Sequence, residues 1–469
     1  MATTAIVWFR RDLRTCDHPA LFSACEEFDR VVPLFILDER LLEGRFASGP
    51  RTAFMLDSLR VLDSRLGELG GGLFVRSGRP EEVLVELAGE VGADAVHWTS
   101  DVSPFALERD RSVTSALEAA GVKAVPCPGN YCADVSVPRT KKGKPVTVFT
   151  PFWKIQRDLE RRPVLPAPGS VKVPRGLERG ELPAVPTLEG ELPEPWCAPG
   201  ESEARRALDE WIDGPIDRYE KRHDDLTGGT SGLSAWIRWG CISPREVEQR
   251  SLDRGGAGAR AFVRQLAWRD FYGHVLLMFP DNMELEYQPR FRDLEWDTDQ
   301  ELLEAWRQGQ TGFPLVDAGM RQLLATGWMH NRARMVVGSF LTKDLHLDWR
   351  EGELWFERVL LDAEPAQNNG NWQWIASTGV DPAPYFRRIF NPMLQQERFD
   401  PGGEYIRRWV PELASVPEKK LTEPWKMTPE EQEEAGCVIG TDYPAPIVDH
   451  AVERKVTMER YRAVSPQKG

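Results

Sequence analysis

Three stretches of this sequence gather side chains that could do chemistry. In QLAWRDFY (265 to 272), Gln265, Trp268, Arg269 and Tyr272 stand at i, i+3, i+4 and i+7, so a helix there puts them on one face. A face that mixes amide, indole and guanidinium is costly to bury unless it meets something flat and polar; the other reading is an aromatic core whose indole finds its own partner. WMHNRARM (328 to 335) sets Asn331, Arg334 and Met335 together in the same way. LLDAEPAQNNGNWQWIASTG (360 to 379) is the most unusual: acids, amides, glycines and two closely spaced indoles fill a segment that helix propensity alone disfavours. TSGLS (230 to 234) offers hydroxyls and adjacent backbone amides at a helix start, which suits a phosphate oxygen or an ordinary N-cap. The chain has 17 Trp; indoles a few ångströms apart relay electrons, and they also simply pack.

The elements that must position these residues fall into two kinds. Residues 1 to about 128 alternate short apolar runs, TAIVWF (4 to 9), VVPLFIL (31 to 37), GLFVRSG (72 to 78) and DAVHWTS (94 to 100), with helical patterns. This predicts a doubly wound, Rossmann-like α/β domain with a parallel sheet. From 129 to 200 periodicity fails and Pro and Gly rise, as in an extended connector. From 201 to 469 strands give way to helical patterns rich in Trp and Arg, an all-α domain. The 469 residues exceed what one core holds, which also points to at least two domains. No G-x-G-x-x-G follows the first strand and no P-loop occurs, so the α/β domain is not an ordinary dinucleotide or P-loop site.

Composition narrows the classes further. Seven scattered cysteines without a C-x-x-C pair fit reduced thiols, with no disulfide framework and no zinc site. No signal peptide or membrane-spanning run stands out, so a soluble, cytoplasmic protein is expected. A net charge of −14 argues against a general nucleic-acid coat. Two stretches run against it, Arg321, Arg332, Arg334, Lys343 and Arg350, then Arg387, Arg388, Arg398, Arg407 and Arg408, and read as solvated faces or as a local phosphate surface.

Taken together, WFRRDLR (8 to 14), TSGLS, QLAWRDFY, TGFPLVDAGMRQL (311 to 323), GWMHNRARM, DWREGE (348 to 353), NNGNWQW and PYFRRIFNP (384 to 392) resemble the photolyase and cryptochrome family, in order and spacing over nearly the whole chain. The resemblance is most specific to bacterial class I cyclobutane pyrimidine dimer photolyases. It implies FAD, active as FADH−, in the helical domain, with Tyr219, Thr230, Ser231, Leu233 and Ser234 around its phosphates and ribose and Arg269 nearby. Asn331, Arg334, Asp362 and Glu364 would line the flavin, Arg334 pairing with Asp362, and Asn368 would face flavin N5. Trp372, Trp349 and Trp296 match a relay from flavin to surface, while Trp268 and Trp374 match two indoles that clasp an extruded dimer against Met335. Arg332, Arg387 and Arg388 would grip DNA phosphates. The implied reaction is redox-neutral, light-driven splitting of the dimer, on a base flipped from the duplex.

Gln265 stands where dimer photolyases usually carry Glu, keeping a donor and losing the charge. Gln also occurs there in (6-4) photolyases, but those carry His at the positions of Asn331 and Met335 for acid chemistry, so cyclobutane dimers are favoured. The rival class is a cryptochrome, a light sensor; Asn368 and the short end of the chain after RRWVPEL favour repair. A second, antenna chromophore is implied for the α/β domain. The segment WTSDVSPFALERD (98 to 110), with Asp101, is more similar to binders of 8-hydroxy-5-deazaflavin than of methenyltetrahydrofolate. A monomer is expected, since no exposed heptad suggests otherwise.

Overall fold

In a computed structural model describing residues 2–45, 47–184 and 193–465, the first part of the chain lays down five parallel strands. They are β1 (Thr4–Phe9), β2 (Arg30–Leu37), β3 (Phe74–Ser77), β4 (Ala95–Thr99) and β5 (Lys123–Cys127), in the order β3-β2-β1-β4-β5. The central strand β1 is buried along its whole length and pairs Trp8 with Leu34 on one side and Trp98 on the other. Helices α1 (Pro19–Glu27), α2 (Gly49–Glu68), α3 (Pro80–Val91) and α4 (Pro104–Ala119) cover its two faces, the doubly wound α/β arrangement expected. β5 was not anticipated: KAVPC is short, half-exposed and interrupted by Pro126, as an edge strand tolerates.

The connector is extended but not featureless. Its described part runs beside the sheet, with Val31 N–H donating to Lys172 O at 2.8 Å and Val75 N–H to Arg179 O at 2.7 Å. It also contains helix α5 (Phe149–Gln156), which the Pro-rich surroundings hid. Residues 185–192 of the expected connector lie outside the described residues.

Beyond it the described chain is helical. Short helix α6 (Ser234–Trp239) follows TSGLS, and α7 (Gly256–Met278) carries QLAWRDFY. α8 (Asn331–Ser339) begins in WMHNRARM, with His330 as its N-cap, and α9 (Trp349–Val359) leads to α10 (Pro365–Ala376). α10 contains NNGNWQW, so tertiary packing overrides the poor propensity of that run. The reason is visible at Gly370: a Cβ there would overlap the Tyr272 ring of α7, so glycine is what lets the two helices meet. Gly352 of α9 serves Trp372 in the same way.

The loop after β1 ties the halves together. Arg14, fully buried, donates to Asp17 O and, at 3.0 Å, to Gly240 O after α6, while Leu13 N–H donates to Trp239 O. The start of α2 docks on the end of α9 through Ser48 Oγ, which donates to Arg358 O at 2.7 Å. All seven cysteines are free thiols, and no described helix is long and apolar enough to cross a membrane.

Because the α7–α10 contact leaves no room for a methyl group, Gly370→Ala should lower stability by about 1–3 kcal/mol. Thermal unfolding followed by circular dichroism checks this, and an unchanged midpoint would contradict the packing described.

Candidate functional site

The residues singled out in the sequence converge on two adjoining cavities in the helical half. The inner one, about 280 Å³, is bounded by Tyr219, Thr230, Ser231, Leu233 and Ser234 on one side and by Asn331, Arg334, Asp362, Glu364, Asn368 and Trp372 on the other. The outer one, about 500 Å³, shares Gln265, Asn331, Met335 and Trp374 with it and adds Trp268 and Arg269. α7, α8 and α10 therefore bring the three chemical stretches to one place, and the turn before α6 adds the hydroxyls.

The charged wall residues are held by the protein. Arg334 donates to Asp362 Oδ2 at 2.7 Å and to Met329 O at 2.8 Å, while Asp362 Oδ1 is buried without a partner. Glu364 receives Arg11 from the loop after β1 at 3.0 Å. Burial alone would raise the Glu364 carboxyl, but the guanidinium groups of Arg11 and Arg269 bring it below its usual range. Arg269 donates to Asn130 O and lies over the Tyr131 ring at 4.9 Å, so its charge faces the connector as well as the outer cavity.

Asn368 is fixed in direction. Its Nδ2 donates to Glu353 O at 2.9 Å and to Glu357 Oε2 at 3.2 Å, which uses both amide hydrogens and leaves Oδ1 as the free group of a residue that lines the inner cavity. Behind it, Asn369 Nδ2 donates to Glu353 Oε1 at 2.9 Å. Burial pushes the Glu353 carboxyl up to about 7, and the neighbouring Glu357 adds to the rise.

The two outer indoles are braced from behind. Trp268 stacks on Phe149 of α5 with ring centroids 3.8 Å apart and planes at 7°. Trp374 Nε1 donates to Asp381 Oδ2 at 3.1 Å, and the Arg388 guanidinium covers its ring at 4.1 Å. Sequence reasoning missed Phe149 and Asp381; Asp381 at least lies between two chosen motifs, whereas Phe149 is in the connector, far in sequence from its partner Trp268. Two residues away on α10, Trp372 is buried on the opposite side, 5.0 Å from Phe356 and 6.2 Å from Trp306, with its Nε1 unpartnered. Trp349, fully buried with Nε1 donating to Glu286 at 3.2 Å, shares that core, and half-buried Trp296 packs at its edge.

Several charges fall elsewhere than their sequence neighbours suggested. Arg388 is buried, 3% exposed, and pairs with Asp381 at 2.8 Å, so it stands behind Trp374 and not at the surface. Arg332 pairs with Asp224 at 2.8 Å over the Phe399 ring, and Arg387 alone of the three is exposed. The run from Arg321 to Arg350 is not a basic face. Arg321 pairs with Glu412, Arg350 with Glu286, and Lys343 is fully buried, donating to Ala376 O at 2.8 Å over the Tyr461 ring. His330 is buried as the cap of α8, where burial pushes its pKa down to about 4.

Asp101 lines a third cavity, about 430 Å³, between the sheet and the helical half, together with Trp8, Phe105 and Arg109. Burial would raise its carboxyl, but Arg11, at 2.7 Å, holds it well below the usual range. Glu364 borders this cavity and both helical ones, and Arg238 borders this cavity and the outer helical one.

Comparison with known proteins gives the same picture over the whole chain. Residues 262–463 match the model of the FAD binding domain of DNA photolyase, and residues 5–169 match the DNA photolyase model. A deoxyribodipyrimidine photo-lyase from Streptomyces griseus is 40% identical, covering 98% of this chain and 100% of its own. The structure of a class III photolyase from Agrobacterium tumefaciens superposes with a TM-score of 0.93 at 37% identity, covering 99% of this chain and 98% of its own. That of an archaeal photolyase from Sulfolobus tokodaii, described with two FAD molecules, reaches 0.86 at 32%, covering 98% and 100%.

The raised Glu353 carboxyl makes a pH prediction. A group held protonated by the fold contributes stability that is full below its unfolded value of 4.5 and is lost as pH rises through about 7. Thermal midpoints should therefore fall over that window, and Glu353→Gln, which needs no proton, should flatten the fall. An identical pH profile for the variant would contradict the buried, neutral carboxyl.

Proposed function

This chain belongs to the DNA photolyase family, and we propose that it is a deoxyribodipyrimidine photolyase, a lyase that uses light to split cyclobutane pyrimidine dimers in DNA. The observation that carries the reading is the pair of braced indoles, Trp268 and Trp374, walling a cavity that opens inward to Asn368. The resemblance to class I members is not matched by the structural comparison, which is to a class III photolyase, so the activity is carried forward without the class I label.

The inner cavity fits FAD chemically. Hydroxyls of Thr230, Ser231 and Ser234 with Tyr219 and Leu233 suit its phosphates and ribose, and we assign Arg269 to the same end. Asn331, Arg334, Asp362, Glu364 and Asn368 suit the ring system: the orphaned Asp362 Oδ1 and the free Asn368 Oδ1 are acceptors waiting for N–H groups. When bound and reduced, the flavin supplies on excitation the electron that opens the dimer's ring and takes it back. The protein's own residues bind and orient. Trp268 and Trp374, already fixed by Phe149, Asp381 and Arg388, offer flat faces without further ordering. Gln265 offers an amide to a pyrimidine carbonyl, and Met335 an apolar contact. Trp372, Trp349 and Trp296 pass electrons inward from the surface. For phosphates we keep Arg387, with Arg332 as a contact that competes with Asp224; Arg388 is reassigned to the wall behind Trp374.

Cyclobutane dimers are favoured over (6-4) lesions because positions 331 and 335, where an acid would be needed, hold Asn and Met. Asn331 and Met335 do not titrate near neutrality, and His330 is neutral there and turned to the α8 N-terminus. We further read the α/β part, to residue 128, as the holder of a second, flat chromophore in the interdomain cavity, joined by the connector, 129 to 200, to the catalytic helical part. 8-Hydroxy-5-deazaflavin is kept over methenyltetrahydrofolate on the segment containing Asp101, with FAD as the competing occupant given the Sulfolobus tokodaii structure.

Purified, photoreduced protein given a thymine-dimer oligonucleotide should restore it under blue light and not in darkness, and leave a (6-4) oligonucleotide intact. Repair of the (6-4) lesion, or of neither while bound flavin photoreduces, would overturn the reading in favour of the other photolyase branch or of light sensing.

A further inference from the structure

The free oxygen of Asn368 depends on a residue of the other domain. Glu357, near the end of α9 and 4% exposed, accepts one Asn368 amide hydrogen through Oε2, and its second oxygen, Oε1, accepts from Arg51 Nη1 at 2.7 Å. The same Arg51 nitrogen donates to the Glu357 carbonyl at 2.8 Å, so the guanidinium grips both the backbone and the side chain of that residue. Arg51 stands in the first turn of α2, beside the Ser48 contact that docks this helix on α9. The two residues are 306 positions apart in the chain.

We propose that Arg51 and Glu357 are positioning residues for Asn368, through which the α/β domain sets the redox behaviour of the flavin held by the helical domain. The inference rests on the reading of Asn368 as the residue facing the flavin. A primary amide presents either an acceptor or two donors, according to which way it is turned. A carboxylate only accepts, so Glu357 fixes the turn: the amide nitrogen points to it and to Glu353 O, and the oxygen points to the cavity. An acceptor there stabilises a ring N–H, which the reduced flavin has and the oxidised flavin lacks. Arg51 supplies the countercharge that holds the buried carboxylate still. Removing it takes away the anchor on Oε1 and leaves the carboxylate free to turn from Asn368 and release the amide.

A bridge that merely docks two domains would affect stability and leave the flavin alone, so the test reads the flavin. FAD-loaded protein is photoreduced without oxygen, then exposed to air in the dark, and reoxidation is followed by flavin absorbance together with FAD content. Arg51→Met should keep its FAD and reoxidise roughly tenfold faster, the equivalent of losing one hydrogen bond. Arg51→Lys should stay within about twofold of wild type, because it keeps the countercharge. Should Arg51→Met fail to fold, Glu357→Gln serves: nearly isosteric, it exchanges an obligate acceptor for a group that also donates, and should likewise speed reoxidation. Wild-type rates in Arg51→Met and Glu357→Gln, with Asn368→Ala accelerated, would overturn the proposal and leave the flavin reading standing. Unchanged rate and FAD content in Asn368→Ala would overturn both together.

Discussion

The contact on which the rest of this structure depends is the close approach of α7 and α10 at Gly370 and Tyr272. It sets two indoles, one from each helix, around a single cavity, and it fixes the rotation of α10. Because Trp372 and Trp374 lie two residues apart on a helix, that rotation sends one ring into the core beside the inner cavity and the other to the outer cavity. Asn368, one turn earlier, is then directed at the inner cavity. A methyl group at residue 370 would disturb every one of these placements, which is why a run of amides and glycines with little helix propensity is worth folding as a helix.

A second constraint is electrostatic. The chain is acidic, yet arginines crowd its interior, and nearly every one near the site meets a carboxylate or carbonyl. Arg11 reaches Asp101 in its own domain and Glu364 in the other, and Arg51 reaches Glu357. Such pairs are weak evidence for stability, since desolvation offsets much of their attraction. Their use here is orientation: each holds a side chain of the cavity wall in one direction, and two of them cross the domain boundary to do it. The wall formed by Glu364 and Arg238 is shared by the interdomain cavity and the outer helical one, so the two sites are separated by a single layer of side chains.

What was legible in the sequence followed from local physics. Buried parallel strands are continuous apolar runs, so β1 to β4 stood out, whereas β5, half-exposed and holding Pro126, did not. Helical spacing correctly grouped Gln265 with Trp268, and Asn331 with Met335, around common cavities. What was not legible depended on partners distant in the chain. Reading Arg388 and Lys343 as members of basic stretches missed that one folds behind Trp374 and the other enters the core. Pairs separated by 306 and 353 positions, Arg51 with Glu357 and Arg11 with Glu364, leave no periodic trace. The helix α5 was hidden for a related reason: its aromatic residues are justified by Trp268 and Phe271, which lie on another element.

The central claim is that α10 divides its two indoles between separate tasks, and substituting each for phenylalanine tests it most directly. Trp372→Phe should leave the bound flavin oxidised under illumination, yet repair dimers once reduced chemically. Trp374→Phe should photoreduce normally and lose dimer binding by on the order of tenfold, as expected for a weakened base-stacking surface. If Trp372→Phe photoreduces like wild type, or if both variants lose both properties alike, the division of labour along α10 is wrong.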